Sequence, residues 1–158
     1  MKQKEYYLIL HNIRSTYNVG AIFRTADAVG VSKIYLSGYT PIPLDKFGRV
    51  RKDIAKTALG AEKNIPWEYH KNIGSLISKL KKEQVQLIAL EQSEKSIDYR
   101  KVKIKEKTAL ILGNEVRGVS KQILEKCDVI AEIPMKGKKE SLNVSVAAGV
   151  AMFQIFSE

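Results

Sequence analysis

Three arginines, a carboxylate, three amides and a hydroxyl stand where an α/β protein does chemistry, just past the ends of apolar runs. Arg14 and Asn18 follow the run Tyr6–Leu10, and Arg24 lies nearly two helical turns further on. Gly113-Asn114-Glu115 follows the buried run Thr108–Leu112, and Arg117-Gly118 closes the same short turn. Ser141 and Asn143 follow Ile133-Pro134-Met135 and a loop holding Lys136, Lys138 and Lys139. Glycines in such turns permit positive φ and close approach of backbone to a ligand. Ser141 and Asn143 are good helix-start residues, and a helix N-terminus offers free N–H groups and partial positive charge to an anion. An arginine beside these groups stays protonated, with a pKa above about 12, so it orients anions and hydroxyls more readily than it takes up protons.

These stretches need a scaffold, and the patterning supplies one. Strand-like runs at Tyr6–Leu10, Lys33–Ser37, Pro66–His70, Val85–Leu90, Thr108–Leu112 and Asp128–Ile133 alternate with helix-like runs at Asn18–Gly30, Arg49–Ala61, Asn72–Glu83, Ser120–Lys126 and Ser141–Phe156. That alternation implies an α/β fold, a mostly parallel sheet with helices on both faces. In Asn18–Gly30, the residues Val19, Ile22, Phe23, Ala26 and Val29 share a stripe, and Arg24 lies roughly opposite it. From Val144 to Phe156 the only polar side chains are Ser145 and Gln154. A helix apolar all round needs cover all round. One face has its own sheet, and a second subunit is the simplest cover for the other. Ala147, Ala148, Gly149 and Ala151 would let another backbone come close, and Ala148 reads as facing that interface.

The 158 residues, 44% of them hydrophobic, fit a single domain spanning 1–158. A net charge of +10 points to a polyanion, nucleic acid first. Cys127 is the only cysteine, and His11 and His70 are the only histidines, so neither a disulfide framework nor a metal site is expected. No apolar run approaches a membrane span of about 20 residues, and the N-terminus lacks a signal-peptide core, so a cytoplasmic protein is expected. The glycine fingerprints of dinucleotide and nucleoside-triphosphate sites are missing.

Taken together, in this order and spacing, the three stretches closely resemble the SPOUT RNA methyltransferases of the SpoU/TrmH branch, over nearly the whole chain. The first matches through Asn18, Gly20, Arg24, Thr25 and Ala26. The second matches through Gly113-Asn114-Glu115 and Gly118, and the third through Ile133-Pro134-Met135 and Ser141-Leu142-Asn143-Val144-Ser145. The resemblance implies a C-terminal deep trefoil knot, a homodimer, and S-adenosylmethionine held by the knot loops. The reaction it implies is methyl transfer to a ribose 2′-hydroxyl of tRNA or rRNA. It places the cofactor at Gly113, Asn114, Ile133, Met135 and Leu142, with Leu90 and Glu91 at an earlier strand end. It makes Arg24 the catalytic arginine, either positioning the ribose or acting as base, with Glu115, Ser141 and Asn143 as polar site residues. Many relatives carry an N-terminal RNA-binding extension that is not expected here, which leaves RNA recognition to Arg14, Asn18, Arg49, Arg51, Lys52, Arg117 and Lys138. A catalytically silent RNA-binding dimer on the same fold is the alternative. A nucleotide-dependent oxidoreductase is a third class, disfavoured by the missing fingerprint.

Overall fold

Leu8, Leu10, Ile9 and their neighbours decide how the chain folds, because alternate residues of one strand are buried on opposite faces. In the computed structural model, which describes residues 2–157, β1 (Glu5–His11) lies inside a seven-stranded sheet of order β3-β2-β1-β6-β4-β7-β5. The other strands are β2 (Lys33–Ser37), β3 (Trp67–His70), β4 (Gln86–Leu90), β5 (Ile97–Asp98), β6 (Lys107–Leu112) and β7 (Val129–Glu132). Every pairing is parallel, with Leu8 opposite Ile34 on one side and Leu110 on the other.

Helices cover both faces, as such a sheet requires. Leu8, Leu10, Leu36, Ile88, Leu110 and Leu112 pack against α1 (Thr16–Val29), α2 (Lys52–Ala58), α3 (Ala61–Asn64) and α6 (Val144–Ile155). Ile9, Tyr35, Leu87, Ala89 and Ile111 pack against α4 (Ile73–Lys82) and α5 (Lys121–Glu125). Each residue of the expected α1 stripe touches the first core, Val29 only partly buried, and Arg24 is exposed.

Four details differ from the sequence expectation. β5 has two residues, too few for any alternation to register. The helix expected from Arg49 to Ala61 starts at Lys52, because Asp45 takes the Phe47 and Arg49 amides into a loop at 2.8 and 2.9 Å. It breaks at Leu59 and Gly60, both left-handed, before the single turn of α3. The last helix opens at Val144 and not at Ser141. Asn143 caps it, its Oδ1 accepting from the Ser145 amide at 2.9 Å, and Ser141 stays in the preceding loop. Finally, Ala148 does not face outward. It is fully buried with Ala151, Met152 and Ile155 against the chain's own core. The outward stripe of α6 is Val146, Val150 and Phe153, exposed by 51, 37 and 57%. Among the described residues no helix is long and apolar enough to cross a membrane.

The α1–α2 contact depends on Gly20. A Cβ there would overlap the Thr57 hydroxyl and the Ile54 carbonyl oxygen. Gly20→Ala should therefore destabilise the protein by about 1–3 kcal/mol, read as a lower midpoint in urea unfolding. An unchanged midpoint would show that α2 is free to shift.

Candidate active site

All strands being parallel, their C-terminal ends meet at one edge, and so do the loops that follow them. Ligands of α/β sheets gather at such an edge. Here the ends of β4, β6 and β7 frame a cleft of about 560 Å³, within the range of small-molecule sites. Leu90 ends β4 and Glu91 follows it, Gly113 and Asn114 follow β6, Ile133 and Met135 follow β7, and Leu142 lies in the loop before α6. All seven residues expected to hold a cofactor therefore line one cavity. Leu90, Leu112, Ile133, Leu142 and Ala147 supply apolar walls, and Glu91, Glu115, Glu132 and Glu140 outnumber the two cations that also line it, Arg117 and Lys121. A flat aromatic base attached to a cationic group fits that combination. A second groove of about 660 Å³, between residues 93–97 and 127–130, shares Lys121 and Leu124 with the cleft but holds no motif residue.

The β6 turn is built by backbone contact. A Cβ on Gly113 would lie 2.5 Å from the Gly118 carbonyl, so the glycine is required by the turn itself. That differs from the expectation that it makes room for a ligand. Gly118 has φ +66°, and a Cβ there would overlap the Glu91 carboxylate. Glu91 accepts from the Val119 amide at 2.9 Å and thereby ties β4 to this turn. Asn114 folds over it: Oδ1 accepts from the amides of Val116 and Arg117, both at 2.9 Å. Its Nδ2 donates to the Asn12 carbonyl at 2.9 Å and to the Tyr39 hydroxyl at 3.0 Å.

Glu115 lines the cleft and also bridges to the loop after β1. Its carboxylate accepts from the Arg14 amide at 2.8 Å, the Ser15 amide at 2.8 Å and Asn18 Nδ2 at 3.3 Å. Burial alone would raise its pKa, but these donors outweigh it and hold the carboxyl below the usual range. Ser15 in turn caps α1 by accepting from the Asn18 amide at 3.2 Å. Asn18 is 5% exposed, so it differs from the expectation of an RNA contact; its amide is engaged on Glu115.

Of the other expected polar residues, Ser141 lines the cleft, and Asn143 sits just behind it as the α6 cap. Arg24 does not line the cleft, and no hydrogen bond or ion pair engages it among the described residues. It projects from α1 one residue before Thr25, whose methyl group lies where α6 crosses at Gly149. Arg14, Arg117 and Lys138 are exposed, and of the three Arg117 lines the cleft. Arg49 is exposed but paired with Asp45 at 2.9 Å, and Arg51 is paired with Asp53 at 2.8 Å, while Lys52 is exposed and has no ion pair among the described residues. Sequence reasoning missed two connectors. Asn12 takes φ 55° and accepts the Tyr39 amide, a position that asparagine tolerates better than most residues. Gln92 donates to the Glu140 carbonyl at 2.6 Å, joining the loops after β4 and β7, and no sequence signal marks it. Among the described residues no cluster of His, Cys, Asp or Glu is arranged to hold a metal.

Comparison with known proteins decides between folds that share such an edge. Residues 5–153 match the model of the SpoU rRNA methylase family. The chain belongs to that family. A 23S rRNA (guanosine-2′-O-)-methyltransferase of Xylella fastidiosa is 37% identical over 147 residues, covering 93% of this chain and 56% of the relative. A TrmH/SpoU tRNA-modifying enzyme of A. aeolicus superposes with a TM-score of 0.84 at 31% identity, covering 99% of this chain and 76% of that one. An AdoMet-bound rRNA methyltransferase of Sinorhizobium meliloti superposes with a TM-score of 0.82 at 29% identity, covering 97% and 56%. The chain spans under three fifths of the length of the curated SpoU relatives it matches, 59% and 56% in two cases.

The Glu115 clamp makes a signed pH prediction. Because its folded pKa is lowered, its stabilisation is present above the usual carboxylate range and is lost as pH falls through the lowered value. Glu115→Gln should cost about 1 kcal/mol near neutrality, since charge-assisted bonds become neutral ones at a partly exposed site. Denaturant unfolding should show the difference from wild type shrinking on acidification. A constant difference would mean that the carboxylate charge plays no part.

Proposed function

We propose that this SpoU-family chain transfers a methyl group from S-adenosylmethionine to a ribose 2′-hydroxyl of structured RNA. The observation that carries this reading is the convergence of the strand-end residues Leu90, Glu91, Gly113, Asn114, Ile133, Met135 and Leu142 on one cleft. When bound there, S-adenosylmethionine supplies an electrophilic methyl group on a sulfonium. The apolar walls around Leu112 and Ile133 take the adenine and exclude water. The rigid β6 turn, fixed by Gly113, Gly118 and Glu91, presents backbone groups that are already in place. Ser141 stands on the rim, where a ribose would approach. Held in the cleft, the cofactor would supply the methyl group and leave as the neutral thioether, and the hydroxyl proton would pass to solvent.

Arg24 lies outside its own chain's cleft, so the reading needs a second copy. In our reading α6 is the interface. Its stripe of Val146, Val150 and Phe153 is apolar, and α1, which carries Arg24, packs beside it. The partner subunit's Arg24 then orients the ribose hydroxyl and the neighbouring phosphate through its planar fork. Arg14, Arg117 and Lys138, with Arg49, Arg51 and Lys52, contact phosphates. The C-terminal segment is knotted in this account. Support comes from β7, which lies between β4 and β5, so the connecting segment 91–96 must pass over its end before the chain leaves toward α6.

The test is transfer of a labelled methyl group to bulk tRNA or rRNA, followed by alkaline hydrolysis. A 2′-O-methyl group blocks cleavage, so label should appear in alkali-resistant dinucleotides. Label in single nucleotides would point to base methylation, and absence of label would contradict the reading. Arg24→Ala should abolish transfer while leaving S-adenosylmethionine affinity in calorimetry unchanged. Arg24→Lys should also be severely impaired, because a point charge lacks the fork. Near-normal turnover with lysine would contradict the positioning role. Phe153→Asp should give monomers in sedimentation with little loss of thermal stability, since Phe153 lies outside the core. A stable dimer in that variant would move the interface elsewhere.

A further inference from the structure

The chain between β5 and β6 carries five basic residues in Arg100–Lys107 and belongs to none of the family motifs. It starts at the C-terminal end of β5, on the cleft side of the sheet. It makes one 3-10 turn at Tyr99–Lys101 beside α6, then runs extended to the N-terminal end of β6. Its side chains alternate. Val102 is buried and Ile104 packs on the core, while Lys101, Lys103 and Lys105 all point to solvent. Lys101 ends the 3-10 turn, and beyond it Lys103 and Lys105 are alternate residues of a non-helical stretch, about 7 Å apart at full extension, a spacing close to that of successive phosphates on a nucleic-acid strand.

Two further observations separate this row from an ordinary solvated face. Its backbone is pinned by buried polar groups. Gln86 Nε2 donates to the Lys103 carbonyl at 3.1 Å, Gln86 Oε1 accepts from the Lys105 amide at 3.0 Å, and the fully buried Thr108 hydroxyl donates to Gln86 Oε1 at 3.0 Å. The two nearby acids each pair with another cation, and Asp98 also feels the charge of Lys101. Asp98 is held by Arg100 Nε at 2.9 Å and Glu106 by Lys2 at 3.8 Å, and among the described residues Lys101, Lys103 and Lys105 form no ion pair.

We propose that Lys101, Lys103 and Lys105 form a second RNA site, gripping successive phosphates of one strand that leaves the cleft edge and descends along the flank of the sheet. Unpaired cations at fixed spacing hold no protein partner to be displaced, and each phosphate they neutralise releases counterions from the RNA. The proposal rests on RNA being the substrate. It adds a contact remote from the modified nucleotide, on a surface that borders α6.

The test compares three proteins by fluorescence anisotropy with a labelled polyuridylate strand over a series of salt concentrations. In the first, Lys101, Lys103 and Lys105 are all changed to Gln; in the second, all to Arg. The third is a control with the same charge change elsewhere, Lys63, Lys81 and Lys82 changed to Gln on α3 and α4. The first should show a log–log salt slope shallower by about 2, at about 0.7 for each phosphate that is no longer neutralised, and weaker binding near 0.1 M salt by roughly tenfold or more. The arginine set should match wild type, and S-adenosylmethionine affinity should be unchanged in all three. If the first variant binds with the same slope as the control set, the inference is overturned. If wild type itself shows no salt-dependent RNA binding, the substrate reading fails, and this inference with it.

Discussion

One carboxylate joins the two halves of the site. Glu115 leaves the turn after β6 and accepts the first amides of the loop after β1, with Asn18 closing the same cluster. β1 and β6 are neighbours in the sheet, with Leu10 opposite Leu112, so the two loops start side by side. Without an acceptor between them, the Arg14 and Ser15 amides would face the neighbouring loop unpaired. With it, the entry of α1 is fixed relative to the cleft, and so is every residue α1 carries, Arg24 included. Glu115 therefore fixes the loop after β1 against the turn after β6.

The same logic runs through the rest of the edge. Glu91 ties the β4 end to Val119, Gln92 ties the following loop to Glu140, and Asn114 ties the β6 turn to Asn12 and Tyr39. Polar groups that look catalytic in one dimension spend their hydrogen bonds on neighbouring loops. What they leave open is a cleft with rigid walls, which suits a reaction whose rate comes from orientation.

Six of the strands and their parallel pairing were legible because each strand rests on a local pattern, an apolar run followed by a glycine or polar turn, whereas the order of the strands in the sheet was not. Other features are set by partners distant in sequence. β5 exists because β7 offers it two residues of edge, and α2 starts late because Asp45 captures Arg49. Ala148 and Val150 are both apolar, and composition cannot say which faces the sheet when the whole helix is apolar. Packing against α1 decides it and turns Val146, Val150 and Phe153 outward. The role of Asn18 was hidden for a similar reason, since its partner Glu115 lies 97 residues away.

Hydrogen exchange read by mass spectrometry, with and without S-adenosylmethionine, tests the central claim most directly. Binding in the cleft should slow exchange in residues 113–119 and 133–143 and leave α4, on the opposite face, unchanged. Slowing confined to the second groove, at residues 93–97 and 127–130, or no slowing at saturating ligand, would contradict the account.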